Sequence, residues 1–102
     1  MNILIIGSRG FIGSNSFKYL NAKHNIYGCD IFEINEENYF QIDPSTPDFN
    51  SLFSLRQYDV CINCSGAASV PWSITHPLQD FELNTLNVFK ILDSISRQFT
   101  RF

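Results

Sequence analysis

The chain has 102 residues, 44% of them hydrophobic, and a formal net charge of −3 at pH 7. This length supports one hydrophobic core, so we expect a single domain over residues 1–102. The absence of a Lys/Arg cluster argues against nucleic acid and anionic membranes as partners, and no apolar run approaches the roughly 20 residues of a membrane span. No basic segment precedes the first apolar run, so we expect no secretory signal and a cytoplasmic location.

The first predicted element is a strand at residues 2–6 that leads directly into a glycine-rich turn. Ile3 to Ile6 form a continuous apolar run, typical of a parallel strand buried on both faces. Gly7 permits the tight turn, Gly10 the close approach of a pyrophosphate, and Gly13 close packing of the next helix. That helix, predicted over about 11–22, directs its free N–H groups and positive dipole end at the phosphates.

The second predicted strand, about 25–29, is followed by Asp30, which lies twenty residues after Gly10. A carboxylate there accepts hydrogen bonds from the adenosine ribose diol and repels a 2′-phosphate, so NAD is predicted over NADP. Arg9 counts against this preference, because a guanidinium in the turn can reach a phosphate, including a 2′-phosphate. Strand, glycine turn, helix and acid in this order predict a dinucleotide site; the alternative is a glycine-rich turn without a ligand.

The later elements complete half of a doubly wound sheet. We predict a short strand at 39–42, a brief helix from the N-cap Asp48 through Leu55, a strand at 60–64 and an amphipathic helix from about Pro77. Right-handed crossovers give the strand order 3-2-1-4. The expected fold class is therefore α/β, a three-layer Rossmann-type parallel sheet represented by an incomplete half with flanking helices.

The three cysteines favour reduced thiols over a metal or redox site. Cys29, Cys61 and Cys64 are odd in number and occur in predicted apolar strands. Cys61 and Cys64 have the spacing of a zinc or redox pair, but residues three apart on a strand point to opposite faces. We therefore expect no metal site.

Several motifs occur together in the order typical of one protein family. They are the glycine turn Gly7–Gly13, then Asp30, Asp43, the segment Asp59–Gly66, the segment Ala68–Ser73, Pro77 and Asn84. In these features the chain resembles the extended short-chain dehydrogenase/reductases, and within them the NAD-dependent epimerase/dehydratases that act on nucleotide sugars. The resemblance covers nearly the whole chain.

The resemblance implies a role for each matched position. The pyrophosphate would be lined by Gly7, Gly10, Phe11 and Ile12, and the adenosine ribose held by Asp30 and Ile31. The adenine would meet Ile42 and Asp43, and the nicotinamide side would be flanked by Cys64, Ser65 and Gly66. Asn84 matches an asparagine of the family's fourth helix that helps to order the active site.

The chain also departs from the family pattern. Ser65 and Gly66 replace two alanines, and Asn87–Val88 replaces a Gly-Thr pair, which counts against close packing of the last helix. In the family a Ser or Thr and a Tyr-x-x-x-Lys pair beyond strand four perform the proton transfer, and no such pair follows strand four here. Tyr19 and Lys23 have this spacing but lie at the end of the first helix remote from the glycine turn, so we expect no catalytic residue.

We therefore expect the NAD-binding part of a nucleotide-sugar epimerase or dehydratase, without the catalytic half. In complete relatives a hydride passes between a sugar hydroxyl and NAD, and a nucleotide sugar would bind only to a complete chain. The alternative is a stand-alone module that binds a nucleotide or oligomerises without turnover. Strand four should expose unpaired backbone groups along its outer edge, so we expect a homo-oligomer formed through strand four or the last helix.

Overall fold

The computed structural model describes residues 1–98 and 100–102, which form a four-stranded parallel sheet flanked by helices. The strands are β1 (Asn2–Ile6), β2 (Asn25–Asp30), β3 (Tyr39–Gln41) and β4 (Val60–Asn63). They lie in the order β3-β2-β1-β4, and each neighbouring pair is parallel. The structure confirms the predicted fold class and strand order.

β1 is buried on both faces, as its continuous apolar run predicts. Ile3 aligns with Ile26 of β2 and with Val60 of β4. Ile3 and Ile5 belong to a cluster with Phe17 and Leu20 of helix α1 (Phe11–Leu20). The alternate residues of β1 belong to a second, larger cluster on the other face of the sheet.

The larger cluster joins Leu4 and Ile6 of β1 to the helices α2 (Phe49–Ser54) and α5 (Asn87–Ile95). Phe53 and Tyr58 pack edge to face with ring centroids 5.8 Å apart. The buried Tyr58 hydroxyl donates a hydrogen bond to the Leu52 carbonyl at 3.2 Å. Asp48 caps α2 by accepting a hydrogen bond from the Ser51 amide at 3.0 Å, which confirms the predicted N-cap.

Three helical segments lie between β4 and α5. They are α3 (Val70–Thr75), α4 (Pro77–Phe81) and a π-helical turn (Glu82–Leu86), the last of which leads directly into α5. The helix predicted from Pro77 is therefore observed, but α3 was not predicted. Its start is explained by Ser69, whose hydroxyl accepts a hydrogen bond from the Trp72 amide, and by a proline in the first turn.

The outer edge of β4 is partly paired, which corrects our expectation that it is open. The Cys61 amide donates to the Arg101 carbonyl at 2.7 Å, and the Arg101 amide donates to the Asp59 carbonyl at 3.0 Å. Val60 and Arg101 form a parallel bridge. The sequence did not show this pairing because a single bridge residue carries no periodic pattern.

The cysteines lie on opposite faces of the sheet, as their spacing predicts. Cys61 belongs to the larger cluster, whereas Cys64, just beyond the end of β4, packs against the smaller one. The three thiols are free, and burial raises the pKa of Cys29 and of Cys61 to about 12. Within the described residues, no helix is long and apolar enough to cross a membrane, and no group of three metal-ligating side chains occurs.

Candidate functional site

The carboxyl ends of β1, β2 and β4 open into one cleft of about 400 Å³. β1 lies in the middle of the sheet, and the strands that follow it are placed on either side, so this is the edge where parallel sheets bind ligands. The volume is within the range of small-molecule sites. The lining residues named by the sequence analysis are Gly7, Arg9, Gly10, Asp30, Ile31, Ile42, Cys64, Ser65 and Gly66.

Gly7 and Gly13 are required by the packing of the turn itself. Gly7 has a φ of 80°, and a Cβ there would come within 2.7 Å of the Cys64 carbonyl carbon and the Ser65 nitrogen. A Cβ on Gly13 would overlap the Gly7 carbonyl group. The two glycines therefore bring β1, α1 and the end of β4 together at the cleft.

Gly10 differs, because the packing of the protein leaves room for a side chain there. Among the described residues, a Cβ on Gly10 would meet the Gly7 carbonyl oxygen alone, at an ordinary contact distance of 3.5 Å. Gly10 is the N-cap of α1, and no side chain caps this helix. The N-terminus of α1 thus faces the cleft region without a side chain in front of it, an arrangement that fits a phosphate group.

Asp30 is held at the cleft by the backbone. One carboxylate oxygen accepts a hydrogen bond from the Arg9 amide and the other accepts one from the Ile31 amide, both at 2.8 Å. An ionised carboxylate has about four acceptor positions, so two remain after these bonds. Asp30 can therefore accept hydrogen bonds from a diol while its orientation stays fixed.

The Arg9 side chain is paired with Glu36, a residue that does not line the cleft. Its guanidinium Nη2 lies 3.4 Å from Oε1 of Glu36, and both side chains are partly exposed. Glu36 lines a smaller cavity of about 100 Å³, and Arg9 lines both this cavity and the cleft.

The loop after β4 is fixed by two asparagines. Asn63 Oδ1 accepts hydrogen bonds from the Ser65 amide at 3.1 Å and from its hydroxyl at 2.5 Å. Asn84, in the π-helical turn, accepts from the Ala67 amide and donates to the Ala67 carbonyl, both at 2.9 Å. Gly66 has a φ of 139°, and a Cβ there would collide with the Asn84 side chain. Asn84 therefore positions the loop and does not itself line the cleft.

The other predicted site residues also lie outside the lining. Phe11 and Ile12 lie in the first turn of α1 and are exposed. Gly13 is buried beneath the glycine turn. The Asp43 carboxylate accepts hydrogen bonds from the Ser45 amide and hydroxyl, and these hold the pKa of Asp43 below its usual value.

An apolar wall of the cleft was missed by the sequence analysis. It consists largely of residues after β2 and β3 and on the π-helical turn: Ile6, Phe32, Pro44, Pro47, Phe49 and Leu83. The polar Asn87 also lines the cleft. Phe32 and the two prolines follow predicted strands closely, and this position at the strand ends could have placed them at the cleft. Leu83 is brought to the cleft by the π-helical turn, which has no sequence pattern of its own.

The arrangement combines a helix N-terminus for an anion, an oriented carboxylate for a diol, and apolar side chains for a flat ring. The Tyr19 and Lys23 pair lies elsewhere: Tyr19 is 84% exposed in the last turn of α1, and Lys23 follows the end of that helix. Its position at the end of α1 away from the glycine turn is the position predicted from the sequence.

The model of the NAD dependent epimerase/dehydratase family matches residues 3–102 of the chain. No curated protein sequence matches. Three solved structures illustrate the likeness in fold.

The first is UDP-glucose 4-epimerase from Thermus thermophilus in complex with NAD, with a TM-score of 0.82, 24% identity, and coverage of 95% of this chain and 34% of that one. The second is UDP-glucose-4-epimerase from Stenotrophomonas maltophila with bound NAD and formylated UDP-arabinopyranose, with a TM-score of 0.80, 22% identity, and coverage of 94% and 33%. The third is UDP-N-acetylglucosamine 4-epimerase from Methanobrevibacter ruminantium in complex with UDP-N-acetylmuramic acid, with a TM-score of 0.78, 23% identity, and coverage of 95% and 34%. The chain thus spans about a third of the length of each solved structure.

Proposed function

The chain belongs to the NAD-dependent epimerase/dehydratase family, and from this membership we propose that it binds NAD as the cofactor-binding part of a nucleotide-sugar epimerase or dehydratase. One observation carries the proposal: the glycine turn, Asp30 and the loop after β4 meet at a single cleft of about 400 Å³. These are the three features that a dinucleotide site on a parallel sheet requires.

The proposed roles follow the order of the elements around the cleft. Gly7, Gly10 and the first turn of α1 with Phe11 and Ile12 receive the pyrophosphate, and Gly13 keeps α1 close to the turn. Asp30 and Ile31 hold the adenosine ribose, with Ile42 and Asp43 beside the adenine. Cys64, Ser65 and Gly66 lie on the nicotinamide side, and Asn84 positions their loop.

We propose NAD and not NADP as the cofactor. The Asp30 carboxylate is fixed by two backbone amides and retains acceptor capacity for the two ribose hydroxyls. A 2′-phosphate in the same place would bring a second negative charge beside it, which is unfavourable at close range. This preference rests on Asp30 and on the pairing of Arg9 described above.

When bound, NAD would accept a hydride from the sugar carbon that bears a hydroxyl, as that hydroxyl loses its proton, and would return the hydride to the resulting carbonyl carbon. This chain's own residues would bind and orient the dinucleotide. Its one Tyr-x-x-x-Lys sequence is the exposed pair at the end of α1, so we assign no catalytic residue here. A nucleotide sugar is therefore proposed as the substrate of the complete protein alone.

The same observation supports a second candidate, a module that binds NAD without turnover. Both candidates require a cofactor site, and they differ in whether a proton-transferring pair reaches the nicotinamide.

We further propose a cytoplasmic location, in keeping with the free thiols, and association of two copies through the last helix.

Isothermal titration of the purified chain with NAD, NADP and ADP-ribose tests the proposal. We expect NAD and ADP-ribose to bind, and NADP to bind more weakly than NAD. Absence of binding by all three would contradict the proposed function. Addition of a nucleotide sugar to the NAD complex, with chromatographic analysis of the sugar nucleotide as the readout, distinguishes turnover from binding alone, because the hydride is returned within the cycle and no net NADH forms.

A further inference from the structure

We infer that Glu36 is a cofactor-specificity residue: from the smaller cavity beside the cleft it pairs with the Arg9 guanidinium and so engages a cation that would otherwise stabilise the 2′-phosphate of NADP. The inference rests on the proposed dinucleotide site. It assigns a role to a residue that does not line the cleft.

Arg9 lies next to Asp30. Its amide donates to the Asp30 carboxylate at 2.8 Å, so its backbone is adjacent to the group proposed to hold the adenosine ribose. A 2′-phosphate is attached to that ribose. A free guanidinium at Arg9 would therefore be well placed to bind the phosphate, since its planar fork matches phosphate oxygens.

The Arg9 guanidinium contacts the Glu36 carboxylate. Its Nη2 lies 3.4 Å from Glu36 Oε1, and Glu36 lines the smaller cavity beside the cleft. To bind a 2′-phosphate, Arg9 would first have to leave this carboxylate. Glu36 thus makes NADP binding less favourable without contacting the dinucleotide.

Other charged side chains lie near the Arg9–Glu36 pair. Glu37 lines the same smaller cavity as Glu36, together with Lys18 of α1. Among the described residues, Arg9 forms an ion pair with Glu36 alone. Glu36 and Glu37 are neighbouring glutamates that differ in their contact with Arg9. Glu37 is therefore a matched control for Glu36.

The test compares Glu36→Gln with Glu37→Gln by calorimetric titration of NAD and NADP at low ionic strength. We expect Glu36→Gln to raise the affinity for NADP relative to NAD about three- to tenfold, a modest change because exposed ion pairs are weak. Affinity for NAD should stay unchanged. Glu37→Gln should alter the ratio by less than about twofold, because it removes a more distant charge in solvent.

A double variant isolates the role of the guanidinium. Arg9→Gln combined with Glu36→Gln should lose the gain in NADP affinity that Glu36→Gln alone provides. An equal gain in Glu36→Gln and Glu37→Gln, or a gain that survives in the double variant, would overturn the inference. Circular dichroism of each variant checks that the fold is kept, as expected for partly exposed side chains.

The outcomes for the two proposals are separate. Binding of NAD by the unmodified chain with an unchanged NAD to NADP ratio in Glu36→Gln contradicts the role of Glu36 alone. Failure of the unmodified chain to bind either dinucleotide contradicts the proposed function, and the role of Glu36 with it.

Discussion

Gly10 and Gly13 lie three residues apart in one turn, yet they lack a side chain for different reasons. The Gly13 position has no space for a Cβ because the Gly7 carbonyl group occupies it. The Gly10 position has that space, and its φ of −75° and ψ of 176° are accessible to any residue. The fold itself therefore does not require glycine at position 10, which fits the proposal that a pyrophosphate approaches there.

This difference predicts opposite results for two alanine substitutions. Gly13→Ala should destabilise the fold by about 1–3 kcal/mol through overpacking. Gly10→Ala should change the melting temperature little, because the restricted unfolded chain and the poorer N-cap oppose each other, but weaken NAD binding at least about tenfold. Thermal unfolding and calorimetric titration of both variants provide the measurements. If Gly10→Ala binds NAD as well as the unmodified chain, the pyrophosphate does not approach at Gly10.

Cys64 offers a second test at the residue scale because it is the cysteine that lines the cleft. Burial raises the pKa of the Cys64 thiol, and it raises those of Cys29 and Cys61 to about 12. A raised pKa lowers the thiolate fraction at pH 7, so labelling of Cys64 by a disulfide reagent should be slow and should accelerate as the pH rises towards 9. Cys29 and Cys61 should react only after unfolding.

NAD should slow the labelling of Cys64, because the loop after β4 flanks the proposed nicotinamide side. Cys64→Ser supplies the control, since this variant should have no thiol that reacts in the folded protein. Labelling of Cys29 or Cys61 before Cys64, or a Cys64 rate that NAD leaves unchanged, would contradict this placement.

Among the secondary-structure elements, the π-helical turn connects the last helix to the cleft. It places Leu83 in the apolar wall and Asn84 against the loop after β4. Asn84→Ala would leave the Ala67 amide and carbonyl without these partners, at a cost of about 1–2 kcal/mol. We expect faster hydrogen exchange at the Ala67 amide and weaker NAD binding.

Glu82→Ala is the control for Asn84→Ala, because Glu82 is exposed on the same turn. It should leave both the Ala67 exchange rate and NAD binding unchanged. Exchange at Ala67 that is equally fast in the two variants would assign the effect to the turn as a whole and not to the Asn84 hydrogen bonds.

The elements also show what the sequence could predict. Strands β1 and β2 carry continuous apolar runs, so their bounds, burial and order followed from simple patterns. The positions of Asp30 and the glycines relative to the cleft depend on those strands and were predicted with them. Contacts between residues far apart in sequence were not: the Arg9–Glu36 pair and the Arg101 bridge arise from the assembled fold.

At the scale of the whole molecule, an apolar surface remains on the helices after α3. Phe81 is 52% exposed in α4 and Phe89 is 64% exposed in α5. Since Arg101 pairs with part of the β4 edge, this helical surface is the better candidate for contact with a second copy. Exposed aromatic side chains are typical of such contacts.

We therefore predict that the chain forms a dimer and that Phe89→Asp shifts it to a monomer, because a carboxylate buried between two copies would lack a partner. Size-exclusion chromatography with light scattering measures the change. Tyr19→Asp is the matched control, since Tyr19 is an 84% exposed aromatic residue on α1, and it should leave the dimer intact. If the unmodified chain is a monomer at high concentration, it associates through neither the helical surface nor the β4 edge. If the dimer survives Phe89→Asp, the helical surface is not the contact and the β4 edge becomes the candidate.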